Sequence, residues 1–147
     1  MKAEAVDGLT FVDSNVLAYA HDRSEPRKQT VARALLENLW RTRTGRLSTQ
    51  VLQEFYVVAT RKFDPPMSRA AAREIVALYG SWPLVQIDLP LIVTATQIEE
   101  AEQLSFGDSL VLEAARRAGA HRLVTEDLQG GRTVLGIRIE NPFAASS

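Results

Sequence analysis

The sequence predicts an α/β fold, a three-layer domain built on mainly parallel strands. Two observations predict it. Short apolar runs that suit strands alternate with amphipathic stretches long enough for helices, and a strand–helix–strand unit of that kind returns to a parallel neighbour through a right-handed crossover. Several apolar runs also stop abruptly on carboxylates and small polar residues, as strands do where they feed helix N-termini at the carboxyl edge of an open sheet. No repeat, low-complexity stretch or composition shift divides the 147 residues, which read as a single domain with its core over about residues 9–143.

The elements follow in order. Leu9, Phe11 and Val12 make a short buried strand ending at Asp13, and Ser14 or Asn15 is placed to cap a helix that runs to about His21. After the polar break His21–Pro26, Val31, Ala34, Leu35 and Leu39 recur at helical spacing up to Arg43, with Pro26 in the first turn. Leu47–Thr49 is a strand, and Ser48 or Thr49 caps a long helix to Lys62 whose core face is Val51, Leu52, Phe55, Val58 and Ala59. Pro65-Pro66 enforces a loop. Ser68 caps a helix ending at Gly80, Pro83–Ile87 is a third strand, and a helix spans Leu89 to about Gln103. A further helix opens at Asp108 and stops before Gly119. Arg122–Val124 then repeats the opening logic, an apolar strand running into Thr125, Glu126 and Asp127. Gly130-Gly131 turns the chain into two last short strands, Thr133-Val134 and Ile137–Ile139, before Pro142 and an Ala-Ser tail.

Composition narrows the chemistry. Hydrophobic residues make up 46% and charged residues 24%, a soluble globular balance, and no apolar run is long enough to cross a bilayer. Met1–Asp7 carries acids and no apolar core of signal-peptide length, so a cytoplasmic protein is expected. The absence of cysteine removes thiol catalysis, thiolate zinc sites and disulfides together. Only His21 and His121 are present, both expected at element edges, and no Gly-x-Ser-x-Gly elbow accompanies them. Any metal here must take oxygen ligands, which points to magnesium or manganese. With a formal charge of −1, nucleic-acid binding would have to come from local groups: Arg41, Arg43 and Arg46; Arg61 and Lys62; or Arg116, Arg117 and Arg122. Each of these also reads simply as a solvated face.

Four acids stand out. Asp13 and Asp127 follow strands, Asp108 and Glu54 lie near helix starts, and such positions converge on one edge of a parallel sheet. Taken singly, Asp13 is a helix cap and Glu54 a charge favoured by a helix N-terminus. Glu54 is nonetheless the only acid between Asn38 and Phe63, surrounded by Phe55, Tyr56, Val57 and Val58. Carboxylates brought together raise one another's pKa and repel unless a cation neutralises them, and a hard divalent ion does so while holding water and a phosphate oxygen. That chemistry suits phosphodiester hydrolysis with one or two ions.

In the order Phe-Val-Asp13-Ser-Asn15, Ser-Thr-Gln-Val-Leu-Gln-Glu54-Phe, Gly-Asp108-Ser-Leu and Leu-Val-Thr125-Glu-Asp127-Leu-Gln, the chain resembles a PIN domain, specifically the VapC-type toxins of bacterial toxin–antitoxin pairs. The resemblance spans about Leu9 to Phe143. It implies a PIN-like α/β/α sandwich with a short central parallel sheet and a magnesium- or manganese-dependent endoribonuclease. Asp13, Glu54, Asp108 and Asp127 would be catalytic metal ligands; many relatives carry Asn at the last position. Asn15 and Thr125 would support them, with Thr125 positioning water or a carboxylate. Glu126 should point away from the site if the segment is extended. A homodimer and a small antitoxin that occludes the acids are also implied. Two other readings stand beside it: a haloacid-dehalogenase-like phosphatase, from the loose Asp-x-Asp of Asp13-Ser14-Asn15, and a non-catalytic binding scaffold.

Overall fold

The computed structural model describes residues 8–144. Met1–Asp7, read above for targeting, and the end of the Ala-Ser tail lie outside the described residues. The elements are β1 (Thr10–Val12), α1 (Ser14–Tyr19), α2 (Pro26–Thr42), β2 (Gly45–Ser48), α3 (Thr49–Arg61) and α4 (Arg69–Tyr79). They continue with β3 (Leu84–Val85), α5 (Leu89–Glu102), α6 (Phe106–Arg117), β4 (Arg122–Val124), β5 (Thr133–Val134) and β6 (Ile137–Glu140).

The strands form one sheet in the order β3-β2-β1-β4-β6-β5. Every pairing is parallel except β5 with β6. Register is fixed across the centre, where Phe11 lies between Arg46 of β2 and Leu123 of β4. The antiparallel edge was not foreseen in the sequence, and its cause is local. Only Leu135 and Gly136 separate β5 from β6, both with positive φ (51° and 79°), and a two-residue link of that handedness closes a hairpin.

Several boundaries differ from the sequence reading because of capping. Asp13 itself caps α1, accepting from the Ser14 N–H, in place of Ser14 or Asn15. Ser48 caps α3 by accepting from Val51 N–H, so Thr49 belongs to the helix rather than the strand. Ser105 caps α6 by accepting from Asp108 N–H, which starts that helix at Phe106 and puts Asp108 in its first turn. The expected third strand, Pro83–Ile87, contracts to Leu84–Val85.

Helices flank the sheet. On its strands, Phe11, Leu47, Leu123 and Ile139 are fully buried, and Val16, Leu17, Val51, Phe55, Leu91 and Leu112 join them from the helices. α3 packs against α1 and α4, while α5 packs along α6. None of the described helices is long and apolar enough to cross a membrane. At the start of β2, Trp40, Tyr79 and Trp82 meet edge to face, with ring centroids 5.2–5.5 Å apart. Trp82 lies so close over Gly45 that a Cβ there would sit 2.3 Å from its ring.

That contact predicts the effect of a single methyl group. Gly45→Ala should destabilise the protein by about 1–3 kcal/mol through overpacking, read as a lower urea midpoint at unchanged slope.

Candidate metal centre

The strand order reverses direction at β1. The chain steps outward from β1 to β2 and β3, then returns to place β4 on the other side of β1. In open α/β sheets such a reversal marks a crevice beyond the carboxyl ends of the strands on either side of it, here β1 and β4, where ligands bind. Asp13 is the residue after β1 and Thr125 the residue after β4. Their backbones remain tied, with Asp13 N–H donating to the Val124 carbonyl at 3.1 Å.

Side chains lace the two strand ends together. Asp13 is 3% exposed; its Oδ1 accepts from Ser14 N–H at 2.7 Å and its Oδ2 from the Thr125 hydroxyl at 2.8 Å. Thr125 Oγ1 in turn accepts from Asp127 N–H at 3.1 Å. Asn15 spans the same gap from α1, donating to Asp127 Oδ2 at 3.0 Å and to Thr125 Oγ1 at 3.3 Å while its Oδ1 accepts from Glu126 N–H at 3.0 Å. Capping a helix and bonding Thr125 are thus done by different oxygens of Asp13, so the cap does not use up the side chain. Asn15 likewise uses both ends of its amide, the nitrogen as donor and the oxygen as acceptor.

Asp13, Asp108 and Asp127 each bring a carboxylate oxygen within 4.8 Å of the others. Asp13 is buried, Asp108 half-buried and Asp127 exposed, so the group opens to solvent on one side. Glu54 stands beside this group rather than inside it. Its Oε1 accepts from the Ser14 hydroxyl at 2.9 Å and its Oε2 from Gln50 Nε2 at 3.1 Å. Glu126 turns away, although the chain bends there rather than staying extended, to pair with Lys28 and to accept from the Tyr19 hydroxyl.

The electrostatics follow from burial and crowding. Burial, above all, lifts the Asp13 carboxyl to about 6; the bonds from Thr125 and Ser14 oppose it, and the charges of Asp127 and Glu54 add to it. Asp108 is raised as well, first by burial, against the bond with Ser105 and together with Asp127 and Glu54. The donor set is all carboxylate oxygen, crowded and partly desolvated, which fits a hard divalent cation and offers zinc no nitrogen or sulfur.

The candidate basic groups fare differently. Arg116 and Arg117 both pair with buried Glu113, and Arg117 also reaches Asp88. Arg122 pairs with Glu140. These arginines are held in ion pairs, although Arg116 and Arg117 are exposed, as are Arg41, Arg43, Arg61 and Lys62. His21 is half-buried, with its ring edge-on to Phe55 at 5.6 Å, and His121 is exposed beside β4.

Residues 10–132 match the sequence model of the PIN domain. This chain belongs to the PIN domain family. Among solved structures it is similar to the Mycobacterium tuberculosis toxin VapC20, described as cleaving the sarcin–ricin loop, with a TM-score of 0.61 and 19% identity over 78% of this chain and 86% of that one. It is also similar to VapBC2 from Rickettsia felis, solved bound to a DNA fragment from their promoter, with a TM-score of 0.60 and 18% identity over 90% of this chain and 97% of that one. No curated protein matches it in sequence. At these identities the neighbours speak for the fold.

Three contributors to the site escaped the sequence reading: Ser14, Gln50 and Ser105. Two had a legible signal. Gln50 lies four residues before Glu54 on one helix face, and Ser105 precedes Asp108 at the spacing of a capping box. The Ser14 contact with Glu54 joins residues forty apart and had no local signal.

The raised Asp13 carboxyl sets a pH dependence. Its folded-state value lies above the unfolded one, so the native state holds the proton longer and stability falls as pH rises from about 4 to about 6. Metal-stripped protein should therefore lose about 3 kcal/mol across that window, and Asp13→Asn should flatten the loss in chemical denaturation. Thr125→Val should destabilise by about 1–3 kcal/mol, since Asp127 N–H and Asn15 lose their shared acceptor and Asp13 its hydroxyl donor.

Proposed function

We propose that this PIN domain is a metal-dependent endoribonuclease and the toxin of a toxin–antitoxin pair. One observation carries the catalytic part: the carboxylates of Asp13, Asp108 and Asp127 converge within 4.8 Å at the topological switch of the sheet, open to solvent on one side. Three or more acids so placed have no structural benefit without a cation.

In this reading Asp13, Asp108 and Asp127 hold magnesium or manganese, and Glu54 supplies a fourth carboxylate at the edge of the group. When bound, such an ion makes water more acidic, polarises a phosphoryl oxygen and stabilises the charge left on the departing oxygen. Asp13 fixes the inner side of the site, because burial and Thr125 leave it one orientation. Asn15 keeps Asp127, on a loop, within reach of the others. Thr125 aligns Asp13 and the Asp127 backbone together through one hydroxyl. Exposed Asp127 and Glu54 face the incoming phosphodiester. An open site of this kind suits an unpaired RNA segment, whose backbone can bend into the crevice.

The toxin role and the partners, a cognate antitoxin and a second copy of this chain, are supported by the family and by the likeness in fold to VapC20 and VapBC2. An antitoxin could silence the site by placing a basic side chain among the carboxylates, where a cation would otherwise bind. The single-domain reading and an intracellular role belong to the same proposal.

The test uses purified protein, shown free of any bound antitoxin, with structured and unstructured RNAs in manganese, magnesium or chelator. Cleavage should need the metal, and Asp13→Asn and Asp108→Asn should each lower it on the order of 10³-fold, about 4 kcal/mol of transition-state stabilisation. Folded wild type that cuts nothing, or Asn variants that cut as well, would leave a binding scaffold as the better account.

A further inference from the structure

Gln50 occupies the first turn of α3 and is only 8% exposed. Its side-chain nitrogen donates to Glu54 Oε2 at 3.1 Å and to the Gly107 carbonyl at 3.3 Å. The first bond joins two residues of α3; the second crosses to the first turn of α6, one residue before Asp108. Both amide protons are thereby used. The amide oxygen, in contrast, is buried with no hydrogen-bond partner among the described residues.

A buried acceptor without a donor is uncommon and calls for a reason. Rotating the amide by half a turn would not relieve it, because Oε1 would then face a carboxylate oxygen and a carbonyl oxygen, neither of which can donate when Glu54 is ionised. The orientation of Gln50 is therefore dictated by the two acceptors it serves. Gly107 anchors one proton so that the other points at Glu54.

Glu54 needs such a hold. It is exposed on a helix surface, and a free glutamate there samples many rotamers. Two neutral donors pin it instead, the Ser14 hydroxyl on one oxygen and Gln50 on the other. Ser14 adjoins Asp13 and Gly107 adjoins Asp108, so the clamp refers the position of Glu54 to both elements that carry the inner carboxylates.

We propose that Gln50 is a positioning residue for the cation site, holding the Glu54 carboxylate beside Asp13, Asp108 and Asp127 through an amide whose own orientation is locked by Gly107. This rests on the reading of the acidic group as a cation site.

The experiment titrates manganese into metal-stripped full-length protein, following affinity by calorimetry and the bound ion by electron paramagnetic resonance. Gln50→Met keeps the length, burial and charge of the side chain and removes the amide. It should bind manganese about 10- to 100-fold more weakly, the usual effect of losing a partner behind a ligand, with an altered resonance spectrum and a nearly unchanged melting temperature. In a Glu54→Ala background, where Gln50 has nothing to hold, the same substitution should change affinity by less than about threefold, since residues acting through one another are not additive. Should Gln50→Met melt early, Gln50→Asn, which keeps the amide but falls short of Glu54, takes its place under the same criteria. Wild-type affinity in the folded variant, or a full additive loss in the Glu54→Ala background, overturns the proposal while leaving the cation site standing. Wild type that binds no manganese overturns the cation-site reading, and this inference with it.

Discussion

Mutual repulsion among carboxylates is the constraint around which this end of the molecule is arranged. Oxygens of Asp13, Asp108 and Asp127 lie within 4.8 Å of one another, and at such a separation two unit charges repel by roughly 3–4 kcal/mol at the effective dielectric of a protein surface. Among the described residues, the donors bonded to Asp13, Asp127 and Glu54 are all neutral: a backbone N–H, the hydroxyls of Ser14 and Thr125, and the amides of Asn15 and Gln50. Neutral donors orient carboxylates without cancelling their charge. The site therefore keeps its negative potential for something outside the chain.

The rest of the fold supports that arrangement by dealing with positive charge elsewhere. Arg116 and Arg117 are drawn to Glu113 on the outer turns of α6, and Arg122 to Glu140 across β4 and β6. Lys28 and Tyr19 hold Glu126 away from the crevice, with the ammonium lying over the Tyr19 and Phe143 rings. This fixes the loop after β4 from behind, so that Asp127, one residue on, is presented to Asp13 and Asn15 in front. At the other end of the sheet, the packing of Trp40, Tyr79 and Trp82 around the start of β2 closes the core.

Helix caps link these levels. Asp13, Ser48 and Ser105 start α1, α3 and α6 respectively. Each cap sets where the following turn lies, and thereby where Asp13, Glu54 and Asp108 project. The cap is Asp13 itself in α1 and lies three residues before Asp108 in α6 and six before Glu54 in α3, so local backbone geometry and site geometry are specified together.

Sequence alone determined the alternation of strands and helices, the oxygen-only chemistry open to a chain without cysteine, and the acids worth following, because periodicity, caps and composition are properties of near neighbours. The PIN family was legible for the same reason, each motif being a short strand end or helix start. It did not reveal the antiparallel β5–β6 edge, the earlier start of α6, or the position of Glu54 outside the group of three aspartates. The first two have local causes, the two-residue link Leu135-Gly136 and the Ser105 cap, whereas the last depends on contacts such as Ser14 with Glu54 and Gln50 with Gly107, made between residues distant in the chain. Only the tertiary structure decides them, since hydrogen-bond partners across a crevice are chosen by strand order and register, and no local pattern encodes that distance.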